Sequence, residues 1–307
     1  MTTTLRPTEP LQRGADGALS RRYKVCVNSR PVGGIHLSTH PEYGPTVARV
    51  GELYVEEPDR GRGRGTVAVL AAEEVARGWG CKRVETSVPG DVDGVLRLAT
   101  TLGYVLSNRV MTKPLDGPGP ELPVGSGARP MTEAEYVPWL AKEREGFADS
   151  QIERGVPEAE AYRKTDQGLA RFLPDGLASE NTVLSVLEHE GTPVGTLWLG
   201  LWPDAAFVLG VETDPEHRFF SPGGPGGAAL GGGGGPPGAL GRGGPPPPAP
   251  RGRGHGRTLM LLAEARAVAG GRDRIGLNVF AGNTPAEKLY ESLGYTTSEY
   301  HLYKNLL

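Results

Sequence analysis

Arg251-Gly252-Arg253-Gly254-His255-Gly256 repeats the stretch Arg60-Gly61-Arg62-Gly63-Arg64-Gly65 after an interval of 191 residues (256 − 65 = 191). The same interval separates Leu102-Gly103-Tyr104 from Leu293-Gly294-Tyr295 (294 − 103 = 191). Between these ends, Leu70 matches Leu261, Glu73 matches Glu264, Arg83 matches Arg274 and Val88 matches Val279. One glycine-rich match arises easily by chance. Agreement at both ends of an ungapped segment points to an internal duplication.

The flanking patterns repeat as well. Leu53-Tyr54-Val55 and Phe207–Val211 read as strands that lead into the glycine-rich stretches. Helical patterns follow over Val67–Ala76 and Leu259–Val268, then strands over Arg83–Val88 and Ile275–Phe280. Short helices over Val92–Leu102 and Thr284–Leu293 stop at Gly103 and Gly294, and last strands follow over Val105–Met111 and Glu299–Tyr303. The sequence thus divides into a domain over 1–113, a turn-rich linker over 114–127 and a domain over 128–307. The second domain opens with two helical stretches, around 133–153 and 157–173. In the first of these, Tyr136, Trp139, Leu140 and Phe147 form an apolar side. The first domain has only Leu11–Ser20 at the matching place.

Composition narrows the function. A chain of 307 residues with 37% hydrophobic content has room for two cores. A formal net charge of −3 disfavours gripping nucleic acid, which calls for a basic face. Two distant cysteines, Cys26 and Cys81, imply neither a disulfide framework nor a metal site. Met1–Arg13 is polar and does not read as a signal peptide, and no apolar run reaches the ~20 residues of a membrane span. The expectation is a cytoplasmic protein without membrane, nucleic-acid or metal partners; its oligomeric state is not encoded in these features.

A strand, then Arg-x-x-Gly-x-Gly, then a helix is suited to an anion. Glycine lets the backbone turn tightly and approach a ligand closely. The free N–H groups of the first helical turn favour negative charge, and arginine adds charge-assisted contacts. A pyrophosphate linked to a nucleotide fits this description. An ordinary glycine turn, an arginine–glycine nucleic-acid segment and a dinucleotide-binding fingerprint are alternatives. The last fits poorly, because no acidic residue ends a second strand about 20 residues on.

Thr213-Asp214-Pro215-Glu216-His217-Arg218, with Gly252–Arg257, resembles the acetyl-CoA loop of the GNAT superfamily of N-acetyltransferases. Asn283-Thr284-Pro285-Ala286-Glu287-Lys288-Leu289-Tyr290-Glu291-Ser292-Leu293-Gly294-Tyr295 resembles that family's closing helix. The resemblance implies an α/β chain of two GNAT-like domains in tandem, each a mixed, mostly antiparallel sheet flanked by helices. It also implies acetyl-CoA as co-substrate, a small-molecule amine as acceptor, and direct attack of the amine on the thioester. Thr213, Arg251, Gly252, Arg253, Gly254, His255, Gly256, Arg257 and Asn283 would bind acetyl-CoA in the second domain. Arg60, Gly61, Arg62, Gly63, Arg64 and Gly65 hold the matching place in the first. Tyr290 would protonate the leaving sulfur as general acid. Glu212, near the end of the preceding strand, is the candidate base; Glu56 and Glu57 hold an ambiguous place in the first domain, and His217 and His255 flank the loop.

The first domain departs from this pattern. The ungapped register sets Ala99 opposite Tyr290 and Val92 opposite Asn283, so the first domain is expected to be degenerate. The second departs differently: a glycine- and proline-rich stretch, 219–251, divides its loop. A low-complexity insertion and a shifted reading frame are both compatible with that composition. Besides acetylation of a small-molecule amine, two readings stay open: acetylation of a protein or peptide amine, and a weakly catalytic acyl-CoA-binding or sensing protein.

Overall fold

The computed structural model describes residues 2–41, 44–152, 157–213 and 254–306. The expectations for Arg251, Gly252, Arg253, His217 and the stretch 219–251 fall outside these residues. The chain folds as two units, Met1–Ser107 with Glu299–Leu307, and Asn108–Ser298.

Unit 1 begins with strands β1 (Thr3–Pro7), β2 (Gln12–Arg13), β3 (Leu19–Val27), β4 (Arg30–His40) and β5 (Gly44–Val55). Helix α1 (Arg64–Gly78), strand β6 (Arg83–Pro89), helix α2 (Asp93–Thr101) and strand β7 (Val105–Pro114) follow. Every pairing among β1 to β6 is antiparallel except β5 with β6. Val32, Ile35 and Leu37 of β4 are buried against Ala68, Val69, Ala72 and Ala76 of α1 in one core. These alanines recur at helical spacing, which lets α1 lie close on the sheet.

Unit 2 contains β8 (Ser126–Pro130), α3 (Glu133–Ile152), α4 (Glu158–Phe172), β9 (Thr182–His189), β10 (Thr192–Leu201) and β11 (Ala206–Thr213). Further along the chain come α5 (His255–Ala269), β12 (Arg274–Phe280), α6 (Thr284–Ser292) and β13 (Thr296–Asn305). Among the described residues, again a single strand pair of this unit is parallel, β11 with β12. Alternation along β10 feeds two cores. Leu197 and Leu199 pack with Leu259, Leu262 and Ala263 of α5, while Trp198 packs with Trp139 and Phe147 of α3. Helix α3 starts at half of a capping box: Glu135 reaches back to accept from the Thr132 N–H at 2.9 Å, and it also accepts from the Thr132 hydroxyl at 2.7 Å.

The last strands are exchanged. Glu299–Asn305 of β13 pairs with Arg83–Pro89 of β6 in unit 1, and Asn108–Pro114 of β7 pairs with Arg274–Phe280 of β12 in unit 2. A division at residue 113 would leave each last strand with its own half of the sequence; the backbone hydrogen bonds assign it to the other. Lys304 from β13 donates to both oxygens of Glu73 on α1, at 2.9 and 2.7 Å. Lys113 from β7 donates to Glu264 on α5 at 2.8 Å. Each lysine also lies 5.7 Å from a tyrosine ring, Tyr104 for Lys304 and Tyr295 for Lys113. Burial, and then the adjacent glutamate, hold both tyrosine hydroxyls well above their ordinary pKa.

The stretch 114–127 is part of unit 2 rather than a free connector. Leu115 and Leu122 pack against its core, the Leu115 N–H donates to Asp273 O at 2.7 Å, and Ser126 already belongs to β8. Cys26 and Cys81 are buried and unbridged. Among the described residues, no helix is long and apolar enough to cross a membrane.

Candidate functional site

Among the described residues of unit 2, the one parallel pair is also incomplete. Strands β11 and β12 are in register at Ala206–Val208 and Ile275–Leu277, and beyond these residues no pairing joins them. Both strands continue, to Thr213 and Phe280. The cause is a bulge in β11. Trp198 of β10 faces Gly210 while Leu199 faces Val208, so Leu209 is the extra residue, and a bulge bends its strand. The result is a wedge inside the sheet whose facing backbone groups lack ladder partners. Such groups call for a hydrogen-bonding occupant.

Unit 1 repeats the device. Pairing of β5 with β6 ends at Val50 and Thr86, and the register of β5 against β4 slips between Gly51 and Tyr54, where Glu52 has φ of 48°. Glu212 and Tyr54 each lie four residues past the last paired residue of their strand (212 − 208 = 54 − 50). Unit 1 therefore carries Tyr54 where unit 2 carries Glu212. Glu56 and Glu57 lie beyond this position.

A glycine keeps each bent strand close to its neighbour. A Cβ on Gly195 would lie 2.5 Å from Glu212 O and 2.9 Å from Leu259 Cδ1. Gly33 is the counterpart in unit 1, where a Cβ would lie 2.2 Å from Tyr54 O. Gly195→Ala is expected to cost about 1–3 kcal/mol in denaturant unfolding and to displace Glu212.

Helix α5 opens at the wide end of the unit 2 wedge. Its N-cap, Gly254, has φ of 77° and ψ of 0°, and no side chain caps its first turn. Helix α1 begins the same way after Gly63, with φ of 73° and ψ of 8°. Neither first turn contains an acidic residue. In unit 2 the first-turn N–H groups of α5 point the way that suits an anion such as a pyrophosphate. A Cβ on Gly256 would meet, among the described residues, Leu289 Cδ2 of α6 at 3.5 Å.

The arginines behave less uniformly than their motif implies. Arg257 donates to Ser292 and so ties the start of α5 to α6. In unit 1 the Arg60 guanidinium donates to Val55 O at 2.8 Å, and Arg64 lies 3.9 Å from the buried carboxylate of Asp59. Asp59 is held further by Arg30, with both oxygens at 2.9 Å. Arg62 and Gly61 are exposed, and Gly65 opens α1 beside Leu98. His255 is buried, with its ring 5.4 Å from that of His189; Thr213 is also buried.

Helix α6 lies against the start of α5. Tyr290 and Ala286 pack on the unit 2 core, and the Tyr290 ring lies 6.1 Å from that of Tyr295. Burial raises the Tyr290 hydroxyl to about 12, so it keeps its proton at neutral pH. Asn283 caps α6: its Oδ1 accepts from the Ala286 N–H at 3.3 Å. Asn283→Ala is expected to lose about 1 kcal/mol of stability through this cap alone, read as a lowered urea midpoint.

Glu212 pairs with Lys142 of α3. The residue beside that lysine, Glu143, had no place in the sequence reading. Its Oε2 is buried and has no hydrogen-bond partner among the described residues. Burial, and then repulsion from Glu212, push its pKa up to about 7, partly offset by Lys142. A signal was present: Glu143 falls on the same helical side as Tyr136, Leu140 and Phe147, an acid on an apolar stripe. The raised pKa means that folding favours the protonated acid, so Glu143 costs no stability below pH 4.5 and a growing amount as pH rises to about 7. Glu143→Gln is expected to stabilise the protein by about 2–3 kcal/mol at pH 8, with no gain at pH 4.

Known proteins agree with this architecture. The acetyltransferase (GNAT) family matches residues 5–104 and 247–295. A mycothiol acetyltransferase of Thermobispora bispora is 31% identical over 262 residues, covering 80% of this chain and 72% of that protein. The uncharacterized N-acetyltransferase YdgE of Bacillus subtilis is 27% identical over 57% of this chain and 95% of its own length. A GCN5-related N-acetyltransferase from Sphaerobacter thermophilus shares the fold, with a TM-score of 0.55 at 19% identity over 92% of this chain and 80% of that one. The chain belongs to the GNAT acetyltransferase family, in a tandem form, and is an acyl-transferring enzyme.

Proposed function

We propose that unit 2 moves the acetyl group of acetyl-CoA to a primary amine of a small molecule, by direct attack with both substrates bound. The observation that carries this reading is the wedge between β11 and β12, opening onto an uncapped helix with Tyr290 and Glu212 on flanking elements. The first turn of α5 binds the pyrophosphate through its N–H groups, with Arg251, Gly252 and Arg253 preceding it and Thr213 before the loop. Asn283 turns its amide nitrogen to the cofactor arm while its oxygen keeps the cap. The unpaired backbone of the wedge offers hydrogen bonds to amide groups of that arm. When bound, acetyl-CoA supplies the acetyl group as a thioester.

Glu212 accepts the proton that the acceptor nitrogen loses as that nitrogen bonds to the acetyl carbon. Tyr290 donates its hydroxyl proton to the sulfur as the carbon–sulfur bond breaks and the sulfur takes the electron pair. The Glu212 proton then returns to solvent, and Tyr290 recovers its own from water. Unit 1 takes no part in transfer: Ala99, Val92 and Tyr54 stand where Tyr290, Asn283 and Glu212 stand, and Asp59 holds Arg64 and Arg30.

Thiol release from acetyl-CoA, followed with a panel of small primary amines, tests the reading. Release that depends on an amine and vanishes in Glu212→Gln supports it. Binding of acetyl-CoA with no amine-dependent release would favour an acyl-CoA-binding protein instead. Release only with lysine-bearing peptides would move the acceptor to a protein amine.

A further inference from the structure

We infer that Glu143 is a second acceptor-binding residue, which together with Glu212 holds the acceptor as an ammonium ion. This rests on the acetyl-transfer reading for its biology, but the chemistry stands on the cluster itself. Two carboxylates, Glu143 on α3 and Glu212 on β11, act on each other with one nearby cation, Lys142, which pairs with Glu212. The Glu143 Oε2 is turned into the protein, away from water, and accepts no hydrogen bond from the described residues. A buried carboxylate oxygen without a donor is costly, and a ligand ammonium supplies both the missing donor and the missing charge.

The surroundings leave few other sources of that charge. Glu212 and Lys142 are the charged groups that bear on Glu143. On the other side of α3, Arg144 is engaged with Asp166 of α4, donating to Oδ2 at 2.9 Å, and lies over the Tyr162 ring. From β10, the neighbour of β11 in the sheet, the residue in register with Glu212 is Thr196, which carries no charge. The unmet valence at Glu143 therefore faces a cation that the described residues do not provide. An amine acceptor binds protonated, bridging the two carboxylates; Glu212 first passes one ammonium proton to solvent, freeing the nitrogen lone pair, and then, ionised again, takes the second proton as the nitrogen bonds to the acetyl carbon.

The sign of the pH dependence follows. Glu143 is protonated below pH about 7 and ionised above it, so affinity for an ammonium ion improves as pH rises through that value. Simple alkylammonium ions keep their proton until about pH 10, which leaves the interval free of their own titration.

Ethanolamine, putrescine and spermidine serve as probes with the full chain, comparing wild type, Glu143→Gln and Glu143→Asp. The infrared band of a protonated buried carboxyl is expected to fade near pH 7 in wild type, to fade at lower pH when a probe binds, and to be missing in Glu143→Gln. For whichever amine is acetylated, Glu143→Gln is expected to raise the amine KM about tenfold, the loss of one charge-assisted hydrogen bond, with partial recovery in Glu143→Asp and no change in the KM for acetyl-CoA. The amine KM of wild type falls as pH rises through 7, and that of Glu143→Gln stays flat. An infrared titration that ignores all three amines, or a Glu143→Gln enzyme with the wild-type amine KM, overturns the inference. Amine binding seen in the infrared without thiol release would sink the acetyl-transfer reading and leave this one standing.

Discussion

Tyr290→Phe is expected to lower kcat by about 10²–10⁴, the usual contribution of a positioned acid, while leaving the KM for acetyl-CoA unchanged. Only the hydroxyl is removed. The ring keeps its place on the unit 2 core and beside Tyr295, so thermal unfolding should match wild type. Because burial holds the hydroxyl at about 12, it stays protonated through the neutral and mildly alkaline range. The pH profile of wild-type kcat should therefore show no falling limb from this group between pH 7 and 10. A loss smaller than tenfold would remove Tyr290 from the chemistry. A residual rate that survives Tyr290→Phe but is lost on mutation in unit 1 would show that unit 1 transfers after all.

The largest expected effect on stability lies far from this chemistry. Lys304→Ala leaves Glu73, 1% exposed, without its cation, and Lys113→Ala does the same to Glu264, 3% exposed. Removing one partner of a buried pair costs about 3–5 kcal/mol, because the remaining charge is stranded. Each variant should lose that much in urea unfolding. Replacing both partners with apolar residues, as in Lys304→Met with Glu73→Leu, should recover most of it. A double variant no more stable than the single one would show that the pair is worth more than its burial costs.

How much was legible in the sequence depended on range. The duplication, both helices that follow the loops and the closing helix were local patterns, set by spacing within ten or so residues, and each formed. Helix α1 merely starts earlier than its apolar pattern, at Arg64, because Gly63 supplies the left-handed turn before it. The cap at Asn283 was local too. Strand exchange was not legible, for a definite reason. Lys113 and Lys304 occupy the same place in the two repeats (304 − 113 = 191), as do Glu73 and Glu264. Each lysine suits either glutamate equally, so no pattern within a repeat could choose. The wedge was hidden for a related reason: a bulge at Leu209 is a mismatch between two strands, and neither strand shows it alone. Glu143 was visible as an acid on an apolar stripe, but its meaning needed Glu212, which folding brings from 69 residues away (212 − 143 = 69).

The crossed last strands change what a shortened gene would make. Residues 299–305 follow all of unit 2 in the sequence, yet they complete the sheet of unit 1 and bring the cation that Glu73 requires. A premature stop there would spare every residue of the proposed catalytic unit and strike the silent one. The nascent first unit must likewise wait, with one edge of β6 open, until residues 299–305 have left the ribosome. Unit 1, which we propose takes no part in transfer, then reports on translation through unit 2, since its sheet closes only once residues 299–305 are made.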